Sequence, residues 1–318
     1  MELHQSTLNT AQTCLKKYKY RYLEGLEREE EVNQTLLLGT ATHKALEWYY
    51  QDYPNTNPLD YLDKLRRRYR RLSEENKEIL EGMLRSYGIY SRANDPDLIG
   101  EVIATEYDFE VTVVNIDEEP TEHTLAGTVD LVFRDTEGNL CLADHKTRTR
   151  LMDDKDYLSI DNQLLMYSYA LSREFDEKVE KFYYNTILKK SPSEPRVLKS
   201  GKLSKSKRIR SLPSIVIKAI KDHHDGSVPV DYRGLISSQF DKMDKKGNPF
   251  VDRIEVEHTM DQLINFEEDI YLKIKELSER EYFPAQPGKY KCKYCSYLQI
   301  CISDSKNGDK EFLKSFFK

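Results

Sequence analysis

The sequence contains no apolar run long enough to cross a membrane, and its first residues, MELHQSTLNT, lack the basic start and apolar middle of a signal peptide. It also contains no G-x-x-x-x-G-K-[ST] motif, which excludes an ATP-driven motor of the P-loop type. Its cysteines number only five, an odd count that argues against a disulfide framework. We therefore expect a cytoplasmic protein whose cysteines serve best as metal ligands.

The composition predicts a folded, acidic protein. Hydrophobic residues make up 38% of 318 residues, which is enough for a large core, and the formal net charge is −6. This charge argues against a protein that coats nucleic acid over its whole surface. It leaves room for a local basic surface, because the charge is unevenly distributed along the chain.

A basic segment, residues 196–221, carries nine Lys or Arg and no Asp or Glu. Such a segment can hold phosphates by charge without reading sequence, although plain solvated surface is the alternative interpretation. The candidate DNA-binding residues in it are Lys202, Lys205, Lys207, Arg208 and Arg210.

The hydrophobic pattern predicts helices first, then strands, then a return to helix. The predicted elements are helices at 6–23, 35–50 and 59–92, a three-stranded antiparallel meander at 101–114, 121–134 and 140–147, a helix at 158–174, a strand at 180–188, an irregular segment at 189–252 with one helix at 213–223, and a strand start with a long helix at 252–280. This order favours an α/β core with helical additions.

The third predicted strand ends in CLADHKT, which places Asp144 and Lys146 two residues apart on one face. Asp130, in GTVD, can approach Asp144 across the ladder if the second and third strands pair. Two adjacent carboxylates repel each other, and a divalent cation with a preference for hard oxygen ligands would remove that cost. The alternative is a strand-end ion pair beside an unrelated Asp.

Two further patterns flank this acidic pair. Gln163 and Tyr167, in QLLMY, are four residues apart and share a helical face, which is also typical of a half-buried helix. His43 follows GTAT, and a neutral imidazole there would supply a third metal ligand, although a lone His on an apolar face is more often structural.

In this order, GTATH, GTVD, DHKT and QLLMY resemble the PD-(D/E)XK nucleases of the RecB/AddB type, including CRISPR adaptation exonucleases with an iron–sulfur cluster and related phage nucleases. The resemblance covers about residues 6–301. It implies a restriction-endonuclease-like core, a central mixed sheet flanked by helices, within one nuclease domain spanning 1–318. The expected parts are an N-terminal helical part (1–100), the nuclease core (101–190), a basic insertion (191–252), and a C-terminal helix with a Cys-rich knot (253–318).

The resemblance also implies roles for individual residues. It implies Mg²⁺ or Mn²⁺ bound by His43, Asp130, Asp144 and the backbone carbonyl of His145, and Glu106 as the acidic residue often found on the first strand. The residues implied in catalysis are Lys146, Asp130, Asp144, Gln163 and Tyr167. The His145 imidazole should point to the opposite face of its strand, so its replacement should matter less than that of either neighbour.

Three closely spaced thiols, Cys292, Cys295 and Cys301, form a C-x₂-C-x₅-C pattern that needs a fourth ligand. Cys14 is the candidate, and a shared site would tie the two ends of the chain together. The spacing leaves Zn²⁺ and an iron–sulfur cluster open, and the resemblance favours [4Fe–4S]. Cys141, inside the third strand, is interpreted as a core residue.

The leading hypothesis is a metal-dependent DNA nuclease, with exonuclease action on single strands or DNA ends preferred, in phage or bacterial DNA replication, recombination or repair. A separate helicase or recombination protein is a candidate partner, and no membrane partner is expected. The alternative is an inactive nuclease fold that binds DNA or another protein.

Overall fold

The computed structural model describes residues 2–27, 33–152, 155–308, 311–315 and 317. Its centre is a six-stranded sheet. The strands are β1 (Glu2–His4), β2 (Ile99–Val114), β3 (Pro120–Asp135), β4 (Leu140–Arg148), β5 (Lys181–Leu188) and β6 (Val251–Val256). The predicted core, residues 101–190, thus supplies most of the sheet, while β1 and β6 come from outside it.

Helices surround the sheet on both faces. They are α1 (Gln5–Thr13), α2 (Leu15–Tyr18), α3 (Gln34–Gln51), α4 (Leu62–Arg68), α5 (Glu74–Asn94), α6 (Asn162–Glu174), α7 (Pro213–His223), α8 (Arg233–Lys246), α9 (Met260–Ser278), α10 (Lys289–Lys293), α11 (Leu298–Ser305) and α12 (Glu311–Lys314). Among the residues described, none of these helices has the length and apolarity needed to span a bilayer.

The sheet is mixed, as predicted. β2, β3 and β4 form the expected antiparallel meander, β5 joins β4 in parallel after the α6 crossover, and β6 pairs with β5 antiparallel. β3 is long enough to take two partners along one edge, β1 and then β4, while β2 follows its other edge. This α/β arrangement confirms the predicted fold class.

Side-chain alternation along β4 divides the core into two halves. Leu140 and Leu142 pack on the side covered by α6 and α9, whereas Cys141 and Ala143 pack on the side covered by α3 and α5. Cys141 is fully buried, in agreement with its interpretation as a core residue.

Several elements differ from the sequence prediction. The helix predicted over 6–23 is interrupted at Cys14, whose backbone is extended (φ −165°, ψ 110°), and it ends in a π-helix at Lys19–Leu23. The helix predicted over 59–92 is split into a 3₁₀ turn at Pro58–Tyr61, α4 and α5. Strand β1, three residues long, was not predicted because so short a segment shows no alternation.

The segment 189–252 is more ordered than predicted. Besides α7, which matches the predicted helix at 213–223, it contains α8 and the first two residues of β6. A small separate core, built around Leu203, Val216, Ile220 and Leu235, holds α7 and α8 together. The sequence prediction missed α8 because polar residues dominate it and only a narrow apolar stripe faces α7.

Candidate active site

Three carboxylates lie in one row across the sheet. The ladder between β3 and β4 ends at Leu131 and Ala143, so the same register places Asp130 opposite Asp144. On the other side of β3, the register with β2 places Glu106 opposite Asp130. Residues opposite one another on neighbouring strands point to the same face, so the strands bring these acids together.

The row lies where β3 changes its partner. β1 pairs with β3 as far as Ala126 and β4 pairs from Leu131, so residues 127–130 lie between the two ladders on that edge. Gly127 is required there, because a Cβ at this position would lie 2.7 Å from the Phe109 ring. The break in the ladder leaves the edge beside Asp130 available to other groups.

His43, Glu106 and Asp130 form a group that can hold a metal ion. Each offers one ligand atom, and the three atoms lie within 4.8 Å of one another. His43, on α3, places Nδ1 3.2 Å from Asp130 Oδ1. Glu106 reaches the group because its backbone is in the left-handed region (φ 48°), a conformation that residues other than glycine rarely adopt. One imidazole and two carboxylates suit a divalent cation such as Mg²⁺ or Mn²⁺.

The charges in this group affect one another. Burial alone would raise the pKa of Asp130, but His43 lowers it to about 2. Burial alone would lower the pKa of His43, and the Asp130 carboxylate raises it instead. Burial and the charge of Asp130 raise the pKa of Glu106 to about 7, so a cation binding here would displace a proton from Glu106.

Asp144 and Lys146 form the ion pair that the sequence suggested. Lys146 Nζ lies 2.9 Å from Oδ1 and 2.7 Å from Oδ2 of Asp144, which is only 2% exposed. Burial raises the pKa of Asp144, and the charge of Asp130 adds to this. Burial alone would lower the pKa of Lys146, but Asp144 and Asp130 raise it, so Lys146 stays protonated. The pair and the metal-binding group are therefore neighbours in one charged site.

The backbone and the side chain of His145 face different parts of the structure. Its backbone N–H donates to Asp130 Oδ2 at 2.5 Å, while its imidazole lies on the other side of β4, stacked on Tyr50 (centroids 5.7 Å apart) and hydrogen-bonded to Asn185 (3.1 Å). Burial lowers the pKa of this imidazole to about 3, so it is neutral. The expected direction of the side chain is found in the structure.

Gln163 and Tyr167 lie together on α6, with Gln163 Nε2 donating to the Tyr167 hydroxyl at 2.8 Å. The helix begins here because the Asp161 carboxylate caps it, accepting from the N–H groups of Gln163 and Leu164. Burial raises the pKa of Tyr167 to about 12, and the Asp144 charge adds to this effect. The Tyr167 hydroxyl is thus a neutral hydrogen-bonding group close to the acidic row.

Sequence reasoning missed the hydrogen-bond network beneath His145. Asn185 on β5 accepts from Arg253 Nε (2.7 Å), and Arg253 also donates to the buried Asp95 (2.8 Å), which accepts from Tyr50. The one available signal was Asn185 itself, a polar residue inside the apolar strand FYYNTIL. The partners of Asn185 come from distant parts of the chain, which a single sequence does not reveal.

The four predicted cluster cysteines converge. Cys14 lies between α1 and α2, and the other three lie in or beside α10 and α11. Burial raises the pKa of the Cys301 thiol, and the nearby thiols that raise it further are those of Cys14, Cys295 and Cys292. Two bonds join the segments: Leu15 N–H donates to Gln286 Oε1 (2.8 Å), and Lys291 Nζ donates to the Thr13 carbonyl (3.0 Å).

The spacing of these thiols bears on the group they would hold. Within the described parts of the chain, no three of their sulfur atoms lie within 4.8 Å of one another. A tetrahedral zinc with its usual bond lengths needs sulfurs about 3.8 Å apart. Zinc and an iron–sulfur cluster therefore both remain candidates for these four thiols, and the Gly288 N–H, directed at Cys292 Sγ (3.3 Å), would donate to the thiolate in either case.

The five basic candidates, Lys202, Lys205, Lys207, Arg208 and Arg210, are all exposed. Part of their charge is used locally: Lys205 pairs with Asp231 (2.7 Å), and Arg210 donates to the Pro249 carbonyl (2.6 Å). Lys242 on α8 also donates to the Ile209 carbonyl (3.1 Å), so the segment packs against α8 rather than extending freely.

Comparison with known proteins identifies the family of the chain. A family model for the PD-(D/E)XK nuclease superfamily matches residues 2–302, and the chain belongs to that superfamily of metal-dependent nucleases. Among solved structures, one described as "Crystal structure of SSO0001" matches with 14% identity and a TM-score of 0.31 over 90% of this chain and 93% of that chain, a likeness too low to add to the assignment. A comparison with curated proteins finds no match.

Proposed function

We propose that the protein is a metal-dependent deoxyribonuclease that hydrolyses phosphodiester bonds as an exonuclease on single-stranded DNA or DNA ends. The observation that carries this proposal is the row of Glu106, Asp130 and Asp144 beside His43 and Lys146. These residues put nitrogen and oxygen metal ligands next to the fixed positive charge of Lys146. A bound metal ion and this charge together suit the hydrolysis of a phosphodiester.

His43, Glu106, Asp130 and Asp144 would hold Mg²⁺ or Mn²⁺, which supplies charge that polarises the phosphate and lowers the pKa of water. The backbone of His145 supports its predicted role as a further ligand. Its N–H faces Asp130, and in an extended strand the N–H and C=O of one residue point to the same side. The carbonyl of His145 is therefore directed towards the same site.

The positive charge of Lys146 would lie beside the reacting phosphate and stabilise the negative charge that develops on it in the transition state. Its bonds to both oxygens of Asp144 hold the ammonium group in place. Gln163 orients the hydroxyl of Tyr167 by a hydrogen bond, and this hydroxyl can in turn position the nucleophile or a phosphate oxygen.

The substrate and setting follow from the same reasoning. The exposed lysines and arginines of the basic segment would hold the DNA backbone. The reaction would belong to DNA replication, recombination or repair in the cytoplasm of a bacterial or phage-infected cell, alongside a helicase or recombination protein. Cys14, Cys292, Cys295 and Cys301 would hold a [4Fe–4S] cluster, with Zn²⁺ as the alternative.

The test is release of acid-soluble nucleotides from linear and covalently closed circular single-stranded DNA with Mg²⁺ or Mn²⁺. We expect release from the linear substrate alone, and a loss of at least about hundredfold in Lys146→Ala and Asp144→Ala. Full activity in these two variants would refute the site. DNA binding without cleavage under either metal would instead favour the inactive binding module.

A further inference from the structure

The most exposed large apolar side chains among the described residues are three tyrosines of the C-terminal segment, two of which lie beside Cys292 and Cys295 in the sequence. Tyr294, Tyr290 and Tyr282 are 78%, 76% and 73% exposed. A soluble protein gains nothing in stability by presenting three rings to water, and clustered exposed aromatics commonly mark a binding surface. The catalytic row uses none of these three residues.

Two of these rings lie at α10, with Tyr290 inside the helix and Tyr294 at its C-terminal cap. Tyr290 and Tyr294 are four residues apart, the spacing that aligns side chains on a helical face. Each has a lysine at its ring: Lys289 Nζ lies 6.0 Å from the Tyr290 centroid, and Lys293 Nζ lies 5.2 Å from the Tyr294 centroid. We call these four residues the tyrosine–lysine face.

The chain segment that carries this face has charge of one sign. Residues 282–303 contain three lysines and no Asp or Glu, in a protein with a net charge of −6. All three lysines are exposed, and Lys291 bridges to the Thr13 carbonyl. The ligand that this charge selects is therefore an anion, and the rings indicate one with flat, stacking groups.

We propose that the tyrosine–lysine face is a second nucleic-acid site, on which two bases of single-stranded DNA stack while the lysines contact the backbone. Stacking on aromatic rings tolerates any base, because every base has a π-face, so the site holds a strand without reading its sequence. The inference rests on the proposed DNA nuclease. Cys292 and Cys295 are interleaved with these residues, so a group bound to the thiols would fix the spacing of the rings.

The test measures binding separately from cleavage. A fluorescein-labelled dT oligonucleotide of 20 bases is titrated, by fluorescence anisotropy, into protein carrying Lys146→Ala. We expect Tyr290→Ala/Tyr294→Ala to weaken binding about tenfold or more, since the loss of a single stacked base is worth about that factor. Tyr290→Phe/Tyr294→Phe should bind as the parent does, because the rings remain.

Two controls make the result specific. Ile116→Ala truncates another strongly exposed apolar side chain, 66% exposed in the turn after β2, and should leave affinity unchanged. Lys289→Gln/Lys293→Gln should reduce the slope of log K against log salt by about 1.4, since each phosphate contact on a single strand contributes about 0.7. If the alanine variant has a lowered unfolding midpoint, the salt slope of the lysine variant still tests the proposal.

Unchanged affinity in the folded alanine variant, or an unchanged salt slope in the lysine variant, would overturn the proposal. The proposal would also be overturned if the alanine variant lost binding to vesicles of phosphatidylserine and phosphatidylcholine but kept its affinity for DNA. Failure of the proposed function is read separately, as a wild-type protein that cleaves no DNA with Mg²⁺ or Mn²⁺, because the anisotropy assay does not depend on catalysis.

Discussion

Asp130 is the residue on which the site depends most. One of its carboxylate oxygens contacts the His43 ring and the other accepts from the His145 backbone. It also lies between Glu106 and Asp144 in the row of acids. Its position between two ladders makes these contacts possible, because a continuous ladder would occupy the backbone N–H of His145.

The ion pair of Asp144 and Lys146 should be visible in stability as well as in activity. Lys146→Met leaves a carboxylate that is 2% exposed without its partner, and we expect a loss of about 1–3 kcal/mol in the free energy of unfolding without metal. Asp144→Asn/Lys146→Met should cost less than the sum of the single changes. Urea unfolding in EDTA measures all three, and strict additivity would contradict the pair.

The side chain of His145 should matter for stability rather than for chemistry. His145→Ala removes a buried ring that stacks on Tyr50 and bonds to Asn185, so we expect a loss of about 2–4 kcal/mol. Cleavage per folded molecule should fall less than tenfold. His223→Ala, at an exposed histidine, is the control for unfolding, and a hundredfold loss of cleavage in folded His145→Ala would contradict this assignment.

The sequence predicted the acidic residues at the centre of the site better than the residues that surround them. Period-two alternation was enough to predict that Asp144 and Lys146 share a face and that Asp130 approaches Asp144 across the ladder. The place of Glu106 was harder to predict, because several carboxylates lie nearby in sequence and only the unusual backbone at φ 48° brings this one into the group.

At the scale of elements, a buried network ties the helices on one face to the sheet. Asp95 follows α5, Tyr50 lies in the last turn of α3, and Arg253 lies on β6, and all three meet below His145. Asp95 is fully buried, so its charge relies on Arg253. The network holds α3, and with it His43, at a fixed distance from β4.

Breaking this network should destabilise the fold. Arg253→Met leaves the Asp95 carboxylate buried and unpaired, and we expect a loss of about 3–5 kcal/mol in the free energy of unfolding. Lys218→Met breaks an exposed ion pair with Asp222 and should change stability by less than about 0.5 kcal/mol. Equal effects of the two substitutions in urea unfolding would contradict the role given to Arg253.

Long periodic elements were predictable, and breaks within them were not. The meander of β2, β3 and β4 and the helices α3 and α6 follow from alternation and helical spacing alone. The interruption at Cys14 has no local signal, because LNTAQTCLKKY reads as an unbroken helix. It arises from the packing of Leu15 and Thr13 against the C-terminal segment, which is a long-range contact.

At the scale of the whole molecule, four cysteines lie where the two ends of the chain meet. A cross-link between Cys14 and Cys301 would close most of the sequence into one loop, which would remove roughly 6 kcal/mol of unfolded-state entropy by the loop-closure estimate. A group held by the four thiols would therefore stabilise the fold even though it lies outside the catalytic row.

Replacing a cluster cysteine should lower stability and iron content together. We expect Cys14→Ala to lose the bound iron and to lower the midpoint of thermal unfolding by about 5–10 °C. Cys141→Ala, in the core of β4, should keep its iron and serves as the matched control. Metal analysis with absorbance near 400 nm checks both, and one zinc per chain without iron would refute the cluster.

Binding of Mn²⁺ followed by electron paramagnetic resonance tests the metal site most directly. The wild-type protein should bind Mn²⁺ at the acidic row, and Asp130→Asn should weaken that binding at least about tenfold, because Asp130 is the central carboxylate of the row and belongs to the group with His43 and Glu106. Asp108→Asn, at an exposed carboxylate on the same strand as Glu106, should bind as the wild type does. Equal Mn²⁺ affinity in wild type and Asp130→Asn would contradict a metal centre at this row.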